Sequence, residues 1–315
     1  MINPILKKIA IVIPSYNEET NLDIMVKTLH EVMQKLPYNY FFVFIDDGSS
    51  DATLQKLETL SKTDEKLFFA SLSRNFGHQN ALKAGVDLVK NTSDAVITMD
   101  GDMQHPPNLI PVLIKKWEEG FDVVYTIRDE DKTLSFFKQK TSKWFYALMN
   151  KLSEVEFEPG TADFRLMDKK VAAVFSDFSE NELFIRGIVN WIGFKQYAIN
   201  YKPHARFSGK SKYTVGKMFQ FALQGITSFS TRPLHIAIFL GIGLTVFAFI
   251  FFIGYLFYSF YFGHSISGWA SLLSTIVFFG GLNLIVLGII GVYIGKLFMQ
   301  SKGRPNYLIR ETNYK

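Results

Sequence analysis

The sequence contains no cysteine. A disulfide framework, a thiolate nucleophile and a cysteine-ligated zinc site are therefore excluded. Six histidines are scattered along the chain and form no H-E-x-x-H pattern. No G-x-G-x-x-G follows the first apolar run, and no G-x-x-x-x-G-K-[ST] occurs anywhere. A dinucleotide dehydrogenase or a P-loop enzyme is thus disfavoured. The opening "MINPILKKIAIVIP" does not read as a signal peptide, because Lys7 and Lys8 interrupt it and no small-residue cleavage site follows.

Acid is missing from the rear of the chain. Leu183 to Arg310 holds twelve Lys and Arg and not one Asp or Glu. The first 182 residues hold 28 acids against 21 bases, a net of −7, although the whole chain nets +5. A purely basic half points to nucleic acid or to a membrane. Apolar content decides for the membrane. Pro233–Phe262 and Trp269–Gly295 carry no formal charge, and each exceeds the ~20 residues that cross a bilayer core. Arg232 precedes the first run; Lys296, Lys302 and Arg304 follow the second. The positive-inside tendency makes both flanks cytoplasmic, and Tyr255, Tyr258, Tyr261 and Trp269 fit an aromatic belt at the other surface. Just before these runs, Val215, Met218, Phe219, Ala222, Ile226 and Phe229 recur at helical spacing. That pattern predicts an amphipathic helix in the membrane interface.

The front alternates strand-like and helix-like stretches. Strands are expected at Lys8–Pro14, Tyr40–Ile45, Leu67–Ser71, Ala95–Met99 and Asp122–Thr126. Helices are expected at Thr20–Leu36, Thr53–Leu60, Gln79–Val89 and Leu109–Glu119. This alternation predicts an α/β domain on a mainly parallel sheet, with ligands beyond the carboxyl ends of the strands. Polar clusters fall at four consecutive strand ends: "PSYNEE", "DDGSSD", "SRNFGH" and "DGDMQHPP". One such acid is readily a turn or helix cap; four together on one rim predict a site. In the last cluster Asp100 and Asp102 bracket Gly101. Carboxylates this close repel unless a cation lies beside them. Mg²⁺ typically takes one or two carboxylates, several waters and substrate phosphates, which suits a diphosphate ligand.

Taken in order, "IVIPSYNEE", "FIDDGSSDAT", "SRNFGHQNALKAG", "MDGDMQHPP" and "GTADFRLMDKK" resemble the family 2 glycosyltransferases with the GT-A fold. "RFSGKSKYTVGKM", the two apolar runs and "YIGKLFMQSKGRPNYLIRE" extend this to the polyprenyl-phosphate glycosyltransferases. Within these the chain is similar to the bactoprenol glucosyltransferase group, relatives of the dolichyl-phosphate mannose synthases. The resemblance implies that Asp100 and Asp102 bind Mg²⁺ or Mn²⁺, with Gln104 as a third ligand. It implies a nucleotide pocket from Pro14, Tyr16, Glu18, Asp46, Asp47 and Asp100, and a phosphate-contacting loop with Arg206 and Lys212. Lys210 lies in the same basic loop, and Arg128 is a further candidate for the acceptor phosphate. Asp163 and Arg165 sit two apart on one side of an extended segment. A lipid phosphate is already ionised at neutral pH, so Asp163 is expected to orient sugar or acceptor rather than remove a proton. Arg165 is expected on a phosphate, with a mutual Asp163–Arg165 ion pair as the alternative. His105 reads as a helix-entry residue before Pro106, with metal ligation as its alternative.

The expected organisation is a cytoplasmic GT-A domain over 1–200, a basic loop and interfacial helix over 201–232, a transmembrane hairpin over 233–298, and a cytoplasmic tail over 299–315. The expected activity is inverting transfer of glucose or N-acetylglucosamine from a UDP-sugar to polyprenyl phosphate on a bacterial inner membrane. Nucleic acid is not an expected partner. Glycines such as Gly241, Gly243, Gly280 and Gly281 permit close helix contacts between chains, so a homo-oligomer is expected. One rival is a polymerising family 2 enzyme, against which the sequence lacks a Q-x-x-R-W motif. The other is a non-catalytic sugar-nucleotide sensor.

Overall fold

The computed structural model describes residues 7–129, 150–151, 158, 160–180, 183–202, 227, 230–262 and 268–315. The chain runs β1 (Lys8–Ser15), α1 (Leu22–Met33), β2 (Asn39–Asp46), α2 (Thr53–Thr63), β3 (Leu67–Leu72), α3 (His78–Val89) and β4 (Ala95–Thr98). A short 3-10 turn (Pro107–Leu109) leads into α4 (Ile110–Glu118) and β5 (Val123–Arg128). Then come β6 (Thr161–Asp168), α5 (Lys169–Ser176), α6 (Ile185–Ile192), β7 (Gln196–Tyr201), α7 (Arg232–Phe262), α8 (Trp269–Ser301) and β8 (Ile309–Thr312).

Eight strands form one sheet in the order β7-β5-β6-β4-β1-β2-β3-β8. The pairings β1–β2, β1–β4, β2–β3 and β5–β7 are parallel. The mainly parallel expectation holds, and all five expected strands and four expected helices are present. Central strands read as unbroken apolar runs because both faces are covered. On β1, Ile9, Ile11 and Ile13 enter one core, shared with α1 and α4. Ala10 and Val12 enter the other, shared with α3, α5 and α6. Fully burying one such side chain stabilises by about 1.5–3 kcal/mol. Helix α3 approaches β1 so closely that a Cβ on Gly85 would lie 2.2 Å from Val12 Cγ1.

Two strands bear on the site and fall outside the five expected. Strand β6 runs antiparallel between β4 and β5 and carries Asp163 into the sheet beside Thr98. Strand β8 lies in the segment expected to be a tail, and it pairs antiparallel with β3. It is fastened by more than the ladder. Phe69 N donates to Asn313 Oδ1 at 2.7 Å, Tyr307 Oη donates to Asp87 Oδ2 at 2.8 Å, and Tyr314 stacks on Phe41. The sequence after α8 therefore closes one edge of the front sheet, which keeps that edge from pairing with other chains.

Helices α7 and α8 are long and apolar enough to cross a membrane, with mean hydropathy reaching 2.8 within Arg232–Tyr261 and 2.3 within Thr275–Ser301 over an 18-residue stretch. Large apolar side chains such as Phe239 and Leu297 stand exposed all round them, as on a helix meant for lipid. The foot of α8 touches the front domain, where Gln300 Nε2 donates to Ser179 O at 3.1 Å. Burial beside α8 pushes the Glu180 carboxyl up, and the Lys296 charge partly offsets this. The amphipathic helix expected ahead of α7 lies outside the described residues, as do Arg206, Lys210 and Lys212.

Candidate active site

Strands β1 to β4 end on the same rim, and their loops build a cleft of about 460 Å³. Pro14 comes from the end of β1, Tyr16 and Glu18 from the loop after it, Asp47 from the second loop, and Asp100 and Asp102 from the fourth. The third loop adds His78 from the start of α3, while β6 and α6 add Asp163 and Arg186. Backbone geometry explains some residue choices. Gly48 has φ +67°, and a Cβ there would meet the Arg74 backbone carbon at 2.5 Å. Only glycine lets the second and third loops pack so closely. Gly101 lies close over β1, where a Cβ would meet Pro14 O and Ser15 Oγ at 3.3 Å.

Asp46 and Asp47 are neighbours at a strand end, so their side chains point opposite ways. Asp47 faces the cleft loops and accepts from Phe76 N at 2.7 Å and Gly77 N at 2.9 Å. Burial pushes its carboxyl up, against those two bonds. Asp46 does not line the cleft. It is 1% exposed and accepts from Ser49 N and Ser71 Oγ.

The D-G-D loop turns through Met103, whose φ is +62°. Asp102 Oδ1 accepts from Gln104 N at 3.1 Å. His105 stands at the entry to the 3-10 turn, as expected, and its Nε2 lies 3.5 Å from Asp100 Oδ2. It is buried, stacks on Phe164 at 5.3 Å, and its Nδ1 accepts from Asp100 N at 3.0 Å. It braces the loop from beneath. The donor set fits a divalent cation. Asp100 Oδ1 is buried without a hydrogen-bond donor, its nearest cationic neighbour being His78 Nε2 at 3.3 Å. Two carboxylates alone form an open site, and among the described residues no cluster of three His, Asp or Glu could hold an ion without substrate oxygens. Gln104 Oε1 accepts from Arg128 Nη2 at 2.8 Å. The residues expected as a metal ligand and as a phosphate contact are here bonded to each other.

Asp163 is the most heavily partnered acid. Arg186 grips it with a fork, Nε to Oδ1 at 3.1 Å and Nη2 to Oδ2 at 3.0 Å. Arg165 Nη2 donates to Oδ1 at 3.2 Å, Gln79 Nε2 to Oδ2 at 3.3 Å, and His78 Nε2 lies 3.7 Å from Oδ2. Burial works to raise the carboxyl, but the Arg186 charge, the neighbouring His78 imidazole and Arg165 outweigh it and hold it well below the usual carboxylate range. For His78, burial opposes protonation. The nearby carboxylates of Asp163 and Asp100 outweigh that and push it up to about 9. Arg165 does not reach the cleft. It is 2% exposed and bonded to Ala162 O and Asp163. Burial lowers its guanidinium to about 10, which leaves it charged. The ion-pair alternative is the one observed. Arg186 and His78 are the site residues that sequence reasoning missed. The "SRNFGH" cluster held a signal for His78; Arg186 sits in an apolar helix with no motif around it.

Residues 10–176 match the family described as Glycosyl transferase family 2. Over 303 residues the chain is 39% identical to the bactoprenol glucosyl transferase of Shigella phage SfX, covering 96% of this chain and 99% of that one. It is 38% identical over 303 residues to a Bacillus subtilis (strain 168) protein named "Uncharacterized glycosyltransferase YkcC", covering 96% and 93%. Among solved structures, mannosyl-3-phosphoglycerate synthase from Rubrobacter xylanophilus aligns with a TM-score of 0.48 at 16% identity, covering 69% of this chain and 71% of that one. A family match over more than half the chain and relatives of this identity along nearly its whole length make the assignment plain: the chain belongs to glycosyl transferase family 2.

Proposed function

We propose that the protein moves a hexose, glucose or N-acetylglucosamine, from a UDP-sugar to polyprenyl phosphate with inversion, at the cytoplasmic face of a bacterial membrane. The observation that carries this reading is the state of Asp163. A carboxylate held below its ordinary range by two guanidinium groups and an imidazole is a poor proton acceptor. A hydroxyl acceptor needs a base, whereas a phosphate arrives ionised. The same observation weighs against the polymerising rival, whose acceptor is a sugar hydroxyl. The full-length similarity to bactoprenol glucosyl transferases, apolar helices included, supports a polyprenol as the bearer of that phosphate. Basic residues at both feet of the hairpin, Arg232 and Lys296, support a cytoplasmic catalytic side.

The donor would lie across the strand ends. Glu18 and Asp47 can accept hydrogen bonds from base or ribose groups. Asp100 and Asp102 would hold Mg²⁺ or Mn²⁺, which when bound neutralises the leaving diphosphate. Arg186 and His78 keep the Asp163 side of the cleft positive, where an incoming phosphate meets the sugar. A phosphate oxygen forms a bond to the anomeric carbon. The bond from that carbon to the diphosphate oxygen breaks, and its electron pair leaves with the diphosphate. Positioning and charge stabilisation are what the chain supplies. Incubating the purified protein with labelled UDP-hexoses and membrane lipid is expected to put label into an organic-extractable lipid. Label in polymer would favour the polymerising enzyme, and binding without turnover the sensor.

A further inference from the structure

The C-terminal strand does more than cover an edge. Arg310 on β8 is 239 residues from Ser71 in sequence, yet its Nη2 donates to Ser71 Oγ at 3.1 Å. Ser71 Oγ donates to Asp46 Oδ2 at 2.8 Å. The other oxygen of Asp46 accepts from Ser49 N at 3.0 Å. Ser49 Oγ accepts from Asn17 N at 3.0 Å, and Asn17 Oδ1 accepts from Ser50 N at 2.9 Å. A continuous chain of hydrogen bonds therefore runs from β8, across the ends of β3 and β2, to the loop after β1. Its last members flank Tyr16, Glu18 and Asp47, which line the cleft.

Local geometry favours this chain. Ser71 pairs with Glu311 on the edge strand, and the next residue, Leu72, pairs with Ile309. Arg310 is thus the extra residue of a bulge, a device that re-aims a side chain. A serine hydroxyl has one proton to give and can accept in return. With Arg310 donating to it, the Ser71 proton is committed to Asp46. Ser71 is 0% exposed and Asp46 1% exposed, so bulk water does not compete for the bond between them. Arg310 also pairs with Glu311 at 3.2 Å, but an exposed pair of that kind contributes little.

We propose that Arg310 is a positioning residue for the nucleotide pocket, holding the loops after β1 and β2 in place through Ser71, Asp46 and Ser49. Because β8 follows the apolar hairpin, those loops are fully tied only once the chain has returned from it. The pocket's ligand, a nucleoside diphosphate, rests on the function proposed above; the bonding chain does not.

The test uses the full-length protein and compares Arg310→Met with Thr312→Val. Thr312→Val loses a different β8 bond, Thr312 Oγ1 to Phe69 O. Hydrogen exchange is read at Asn17, Ser49 and Ser50, and uridine diphosphate binding with Mn²⁺ is read by calorimetry. Arg310→Met is expected to speed exchange at these amides and weaken Kd by about 2- to 10-fold each, the equilibrium factor of one hydrogen bond. KM for the lipid is expected to stay within about twofold, and Thr312→Val is expected to move neither readout. Unchanged exchange in Arg310→Met overturns the proposal, as does an equal effect of Thr312→Val. If Arg310→Met frees β8 altogether, shown by exchange at Phe69 and Ser73, Ser71→Ala decides. It should loosen the same loops with β8 intact, and failure to do so also overturns the proposal. A wild-type protein that binds no uridine diphosphate would sink the functional reading, while exchange would still judge Arg310.

Discussion

Asp102→Ala is expected to lower kcat by about 10²–10³-fold, the effect of removing a group that stabilises developing charge, while the protein keeps its fold. The two halves of this expectation have separate grounds. Asp102 lies on a loop at the mouth of the cleft, only partly buried, and its carboxylate closes a local turn onto Gln104 N. Losing such a bond costs about 0.5–1.5 kcal/mol, too little to unfold a domain with two well-filled cores. Asp100 remains, braced by His105, but one carboxylate in place of two weakens a hard cation site. Turnover measured against Mn²⁺ concentration, with thermal melting alongside, checks both halves. Near-normal turnover with unchanged metal dependence would remove Asp102 from the metal role.

Asp163→Asn is expected to be damaging in a different way. It leaves Arg165 buried at 2% exposure without its counter-charge. Breaking a buried pair from one side costs about 3–5 kcal/mol, so thermal stability should fall along with activity. The sign of the pH dependence follows from the lowered carboxyl. Its contribution is present above the unfolded value near pH 4 and is lost only as pH falls through the depressed folded value. Across neutral pH the wild type should therefore show no stability change from this group. Removing the buried Arg165 charge as well, Asp163→Leu with Arg165→Met, is expected to recover part of the stability, since Arg186 and Gln79 still lose their acceptor, and none of the turnover. Recovery of turnover in that double variant would contradict a role for Asp163 beyond structure. A melting temperature for Asp163→Asn equal to wild type would contradict the buried network.

Much of this was legible in the sequence. The five front strands announced themselves as unbroken β-branched and aromatic runs, because parallel strands are covered on both faces. Asp100 and Asp102 could be placed because a strand must end before a D-G-D turn. Side-chain direction was harder to read. Asp46 and Asp47 look alike in sequence, yet strand alternation sends one under the sheet rim and one to the cleft. The two-residue spacing of Asp163 and Arg165 put them on one side correctly, but could not tell a phosphate contact from a pair closed on itself. Arg186 was missed because its meaning comes only from where α6 packs. Strand β8 was missed because "IRET" is four residues long and its partner strand is remote, Ser71 and Arg310 being 239 positions apart.

Acceptor choice tests the central claim most directly. The purified protein would be given one labelled donor with undecaprenyl phosphate or with undecaprenol, otherwise alike. An ionised acceptor and a carboxylate that takes no proton predict a glycosyl-phosphate product from the first and none from the second. A glycoside formed on the free alcohol at a comparable rate would mean that a working base is present, and would contradict the account.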